Sequence, residues 1–369
     1  MFLGGSTGGG KQGIFTKLPN PTSLPAGVGN TVAWSADSNY LLVGHNNSPY
    51  MSYYKRNGDV FTKLANPSTL PTAPVLDASF NGVGNMLAVS FGRAVSTQPI
   101  IYTRSGDTLA PNSAANSYLA SQMTGTSYWT YSNSCKFTGD SNWLVIPSSA
   151  HEVYDGVGYD YYRIIQFRRN GATFNQTQYW NSGEDYIFSD LAVSQIGQDI
   201  SVSISGIVGA AYATGRPGVI GRGFDPPLNN YSTPGTSSGN NFGMRTAMSD
   251  DGIYVAYAIN GSPYIRIFKQ TGANAYTEIT NTGIVPNASG SGFPVAFSPN
   301  AEFFVIAASV SGYSQNITMY RREMDTFIKL PELNLGGLTS ATDLAFSPNG
   351  EYLVATTGTS PYIYIYKVT

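Results

Sequence analysis

One short unit recurs along this chain, and a chain built of repeats folds as an array of them. The clearest copies are VAFSPNAEFFVIAAS at 295–309 and LAFSPNGEYLVATTG at 344–358. The same pattern stands at 32–45 (VAWSADSNYLLVGH), 78–91 (ASFNGVGNMLAVSF) and 135–148 (CKFTGDSNWLVIPS), with weaker copies at 191–204 and 246–259. Aligned on one apolar anchor, the copies are Trp34, Phe80, Phe137, Val193, Met248, Phe297 and Phe346, spaced 46 to 57 residues apart.

Each unit continues in the same way. A turn such as SPNG or ADSN joins two apolar runs, and a longer stretch leads to a third: PYMSYYKR, QPIIYTR, YYRIIQFRR, PYIRIFK, NITMYRR, PYIYIYK. A tight turn follows (RNGD at 56–59, RSGD at 104–107), then a fourth run such as FTKL at 61–64 or FIKL at 327–330. Gly- and Asn-bearing turns between alternating runs are hairpin signals; helix-period stretches and capping boxes are essentially absent. Four antiparallel strands repeated about every 50 residues describe a propeller blade. The expectation is an all-β, seven-bladed β-propeller of four-stranded antiparallel blades over residues 14–369, behind a flexible Gly-rich arm at 1–13. The last unit stops after its third strand, whereas IFTKL at 14–18 looks like a fourth. Strand 14–18 is therefore expected to pair with strand 361–368 and close the ring, with Phe15, Leu18, Tyr362 and Tyr364 as structural residues of the closure.

Composition narrows the function. Charged residues make up only 11%, the net charge is -2 and the pI is near 5.7, so no basic field exists to hold nucleic acid. The single cysteine, Cys135, excludes an intramolecular disulfide and a cysteine-based zinc site. The segment MFLGGSTGGGKQG has no apolar core of a signal peptide, and no apolar run reaches the roughly 20 residues a bilayer needs. Synthesis in a cytoplasm and no membrane insertion are expected. GGSTGGGKQG also lacks the spacing of a phosphate-binding loop. With only His45 and His151, both read as solvated loop residues, a histidine metal cluster is excluded and a Ser-His-Asp triad has two candidates at most. No metal, no cofactor and no enzymatic activity are expected.

Two sets of residues remain as candidates. Asp77, Asp190 and Asp343 fall three positions before the anchor, where the other units carry Thr31, Ser134, Arg245 and Pro294. Their expected role is to accept hydrogen bonds from backbone amides of a neighbouring turn; the alternative is a ring around the channel that holds a cation or small ligand. The connections after first and third strands are short, whereas those after second and fourth strands are long and varied, notably 109–133 and 147–162. Variable loops on a rigid scaffold carry recognition. Tyr128, Trp129 and Tyr131 in the first, and Tyr154, Tyr159 and Tyr161 in the second, are the candidate binding residues, suited to a protein interface or to stacking on a sugar.

These repeats resemble those of WD-repeat-like β-propellers over residues 14–369. The signature pairs are missing: Gly44-His45 follows a second strand, and no Trp-Asp occurs. The architecture is what that resemblance implies. In style, with few charges and many Asn, Gly, Ser, Thr and Tyr residues, the chain is similar to bacteriophage virion propellers of tails, nozzles, fibres and capsid decorations. That resemblance implies a non-enzymatic viral structural protein, a WD40-like β-propeller acting in protein-protein interaction or host attachment. Its partners would be other virion proteins, further copies of itself, or a host surface glycan or protein. The alternative is a glycan-binding lectin or adhesin; a propeller hydrolase ranks third.

Overall fold

The computed structural model describes residues 13–92, 98–123, 134–154, 157–181, 186–194, 200–207, 217–220, 231–232, 245–258, 264–272, 275–279, 293–307, 317–331, 335–338 and 340–369, parts of the third and fourth sheets by backbone alone. Their strands form seven four-stranded antiparallel sheets. The first consists of Gly29–Trp34, Tyr40–His45, Met51–Asn57 and Val60–Lys63, hydrogen-bonded in chain order. The last joins Asp343–Phe346, Tyr352–Thr356 and Ile363–Val368 to Phe15–Lys17 from the other end of the chain. Each sheet's first strand touches the first strands of the sheets before and after it, and Asp343–Phe346 touches Gly29–Trp34. The chain is a β-propeller of four-stranded antiparallel blades, with first strands at the hub and fourth strands at the rim.

Second strands are buried along their whole length: Tyr40–His45, Met86–Phe91, Tyr254–Ala258, Phe303–Ile306 and Tyr352–Thr356. Neighbouring blades cover both faces, which is why they read as continuous apolar runs rather than alternations. The core accordingly lies in layers between blades. One layer packs Leu42, Tyr53, Val75 and Phe80; another packs Phe15, Phe303, Phe346 and Tyr366. His45 ends a second strand and is fully buried, with Nε2 3.0 Å from Ser52 Oγ. Burial holds its imidazole below the ordinary pKa. It is not the solvated loop residue expected from its polar surroundings in the sequence. Gly44 beside it is required by packing, because a Cβ there would lie 2.4 Å from Val75 Cγ1.

In five of the described blades the first turn is built from the hydroxyl residue after the anchor, and in the second from Asn81. The hydroxyls of Ser35, Thr138, Ser249, Ser298 and Ser347 donate to the Asp or Asn two positions on, at 2.5 to 2.9 Å. Each accepts the amide five positions on, at 2.9 to 3.1 Å. The chain then turns through a left-handed residue, Ser38, Gly84, Ser141, Gly252, Ala301 or Gly350, with φ between 52 and 73°. In this turn of the fifth blade, burial and the neighbouring Asp251 raise the Asp250 carboxyl to about 6. The folded state then binds the proton more tightly than the unfolded one, so Asp250 weakens stability as pH rises through about 4 to 6. A displacement of that size corresponds to about 3 kcal/mol at most, and partial exposure reduces this to about 1–2 kcal/mol. Asp250→Asn is expected to be more stable than wild type by that amount above pH 6 and equal below pH 4, read from urea midpoints at each pH.

A second device clamps adjacent blades at their outer ends. Tyr40 donates to Asp107 at 2.6 Å, and Lys55 donates to the same carboxylate at 2.9 Å. Arg104, three residues before Asp107, lies 4.4 Å over the Tyr40 ring and donates to Gly84 O. The arrangement recurs with Tyr254, Lys269, Asp325 and Arg322, and with Tyr352, Lys367, Asp59 and Arg56. Tyrosine and lysine come from one blade, arginine and aspartate from the next. At the junction of the second and third blades, Ala172 replaces the aspartate, and Met86 and Thr103 stand where tyrosine and lysine would. Tyrosine, lysine and aspartate are absent there together, whereas the arginine remains: Arg169 Nε donates to Ser141 O at 2.7 Å. Tyr40→Phe, Tyr254→Phe and Tyr352→Phe are each expected to lower the melting temperature by a few degrees. Tyr40→Phe should cost nothing further once Asp107 is Ala; additive losses in that cycle would refute the coupling.

Candidate functional site

The hub is where the three register aspartates act. Asp77 is buried and accepts from Ser134 Oγ at 2.6 Å, Cys135 N at 3.0 Å and Lys136 Nζ at 2.6 Å, all on the next blade. Asp190 accepts from Thr246 N at 3.0 Å, and Asp343 from Val32 N at 2.9 Å. In each case the donor amide lies on or beside the first strand of the following blade, so the carboxylate ties hub strands together rather than a turn. Burial raises the Asp190 and Asp343 carboxyls, against the pull of Arg245 and Lys136. For Lys136, burial opposes the charge, but Asp77, Asp190 and Asp343 outweigh it and raise its pKa. Five charged groups therefore meet at the hub and largely neutralise one another. Among the described residues, no group of three His, Cys, Asp or Glu side chains could hold a metal ion.

Lys136 was not singled out by the repeat pattern, although a signal existed. One residue before the anchor, five units carry Ala (Ala33, Ala192, Ala247, Ala296, Ala345) and one Ser79, so Lys136 is the outlier. Cys135 beside it is fully buried, and burial pushes its thiol up, away from nucleophilic use.

The elaborated face lies elsewhere. Connections after second and fourth strands open on one side of the disc, and two of them carry structure of their own. The stretch 109–133 holds the helix Ser113–Gln122, contrary to the expectation of no helices. Asn112 caps it, its side chain accepting from Ala115 N at 3.0 Å. Ala115 and Leu119, one turn apart, are buried against Phe167 and Phe174, while Asn116 bonds both backbone groups of Ile101. The helix thus bridges the second and third blades.

The stretch 147–162 is not a loop but a hairpin. Trp143–Tyr154 and Val157–Asn170 pair without a register shift to Tyr154↔Val157. These strands have 12 and 14 residues, where the first blade has 6 and 7. Tyr154, Tyr159 and Tyr161 lie on this ribbon; Tyr128, Trp129 and Tyr131 lie outside the described residues. Where the first strand pairs with the last, Phe15 stands opposite Val368, Leu18 N donates to Ile365 O at 2.8 Å, and Lys17 sits 4.7 Å over the Tyr364 ring. Tyr362 takes a left-handed φ of 66° in the connection before the last strand.

No family model matches the chain, and no curated protein does. Solved structures match its fold. The Myceliophteria thermophila Cps50 (Swd1) β-propeller domain aligns with a TM-score of 0.59 at 11% identity, covering 96% of this chain and all of that one. The Kuenenia stuttgartiensis hydrazine synthase aligns at 0.58 and 14%, covering 94% and 97%. The Dos1 propeller aligns at 0.54 and 14%, covering 95% of each chain. At these identities the likeness is one of architecture: the chain has a WD40-like propeller fold. Among the described residues, no helix is long and apolar enough to cross a membrane.

Proposed function

We propose that this chain is a non-enzymatic interaction scaffold: a closed seven-bladed ring, clasped by its N-terminal strand, that serves as a bacteriophage virion component. The observation that carries the scaffold reading is the asymmetry of the disc. One face has short turns locked by Ser/Thr hydroxyls and clamped between blades; the other carries the helix Ser113–Gln122 and the long hairpin. A hub whose carboxylates are engaged by backbone amides and cations is organised for rigidity. The virion assignment rests on the low charge and the Asn, Gly, Ser, Thr and Tyr-rich composition. Other virion proteins are its expected partners, through the elaborated face. The test is affinity capture of the tagged full-length protein from its native source, followed by mass spectrometry. Recovery of particle proteins at fixed stoichiometry supports the reading; their absence, with the protein also missing from purified particles, overturns it.

A further inference from the structure

Five Asn-Gly pairs occur in the chain, and four lie among the described residues: Asn57-Gly58, Asn81-Gly82, Asn170-Gly171 and Asn349-Gly350. Glycine lacks the Cβ that shields other backbone nitrogens, so its amide can approach the asparagine side chain before it. Whether the two react depends on how firmly the fold holds them. Asn81 is buried; its Nδ2 donates to Asn85 Oδ1 at 2.8 Å and its Oδ1 accepts from Met86 N at 2.9 Å. Asn349 Oδ1 accepts from Ser347 Oγ at 2.6 Å and Glu351 N at 3.1 Å, and Gly350 N donates to Ser347 O at 2.7 Å. Both of these pairs are held.

Asn57 and Asn170 differ. Each is exposed in the hairpin turn between a third and a fourth strand, and neither side chain has a hydrogen-bond partner. Gly58 and Gly171 take left-handed φ of 56 and 60°, and nothing lies within 4 Å of where a Cβ would stand. Their surroundings set the two apart. The Tyr352 hydroxyl donates to Gly58 O at 3.1 Å and to Asp59 at 2.6 Å, and Lys367 donates to Asp59 at 2.8 Å. Asn57 therefore adjoins the clamp between the last blade and the first, whereas Asn170 leads to Ala172, where no clamp aspartate stands. The other two clamps carry Ser105 and Glu323 at this position, which have no side-chain amide to lose.

We propose that Asn57 is a site of spontaneous covalent modification, and that its conversion to isoaspartate loosens the joint between the last blade and the first. The Gly58 amide gives its proton to solvent base, and its nitrogen bonds to Asn57 Cγ. The Cγ–Nδ2 bond breaks and ammonia leaves, giving a five-membered succinimide. Water then opens that ring at one of its two carbonyls. Opening at Cγ yields aspartate with the backbone unchanged; opening at the backbone carbonyl yields isoaspartate, whose chain runs through Cβ. The sum turns an amide and water into a carboxylate and ammonium, with no oxidation or reduction. Turn length fixes the register of a hairpin, here Asn57↔Val60. A backbone lengthened before Gly58 carries Asp59 away from Tyr352 and Lys367.

The test incubates the full-length protein in mildly alkaline buffer, maps each Asn-Gly pair by peptide mass spectrometry and follows the melting temperature. Asn57 and Asn170 are expected to convert several-fold faster than Asn81 and Asn349. The melting temperature should fall by a few degrees as isoaspartate accumulates at Asn57. Asn57→Ser should hold it constant through the same incubation, whereas Asn170→Ser should not. Asn57→Asp, which adds the charge without lengthening the backbone, should melt close to fresh wild type. Conversion of Asn57 no faster than Asn349 would overturn the proposal. So would full conversion with unchanged melting, a fall that persists in Asn57→Ser, or an Asn57→Asp protein that melts as low as incubated wild type.

Discussion

A chain lacking residues 1–18 is expected not to fold cooperatively at 37 °C. Phe15–Lys17 forms the outermost strand of the last blade, and its flanks add bonds from Ile14 N to Thr369 O and from Leu18 N to Ile365 O. Its two apolar side chains enter different layers of the core. Phe15 packs with Phe303, Leu335 and Tyr366, whereas Leu18 packs with Trp34, Phe61 and Tyr352. Removing a buried Phe costs about 3–5 kcal/mol and a buried Leu about 2–5 kcal/mol. Together these approach the whole stability of a typical domain, about 5–15 kcal/mol. The loss also bares Ile363–Val368 as an edge, with aggregation as the visible outcome. Calorimetry should show no native transition for the truncated chain, and adding the peptide GIFTKL should restore part of it. An unchanged transition after truncation would show that the strand is dispensable.

Asp77→Ala is expected to cost about 3–5 kcal/mol, the penalty for breaking a buried ion pair by removing one partner. The substitution strands the Lys136 ammonium, the Ser134 hydroxyl and the Cys135 amide, which Asp77 now satisfies at 2.6 to 3.0 Å. Much of that penalty belongs to the orphaned cation, so Lys136→Met in the Asp77→Ala background should recover a large part of it. Denaturant midpoints at constant slope measure both effects. If the double variant is no better than the single one, the lysine is carried by Asp190 and Asp343 instead, and the pair is not the unit that matters.

Much of the fold was legible because a blade is a local object. Anchor, turn and strand follow within a few residues, and the hydroxyl after the anchor builds the turn by itself. FTKL recurs at 15–18 and 61–64, and both segments lie outermost in their sheets. The register aspartates were visible for the same reason, as a repeated position. What escaped depended on contacts between repeats. The Tyr–Lys–Asp–Arg clamp is scattered over two units, and nothing in one unit announces the other half. His45 reads as polar yet is fully buried, its ring against Ser52 of its own blade. The helix Ser113–Gln122 buries only Ala115 and Leu119, too little for a periodic signal. In the ribbon, Gly156 and Gly158 and a weak alternation made strand and loop read alike.

The clamps have a consequence for inheritance and for engineering. Each is shared between adjoining repeats: Tyr40 and Lys55 answer to Arg104 and Asp107, and Tyr352 and Lys367 to Arg56 and Asp59. The transferable module of this molecule is thus offset by half a blade from the unit seen in its primary structure. A graft of the first blade cut at its boundaries would break a clamp at each border. A graft that runs from Tyr40–His45 through to Thr108–Pro111 carries Tyr40, Lys55, Arg104 and Asp107 together and would move a complete joint.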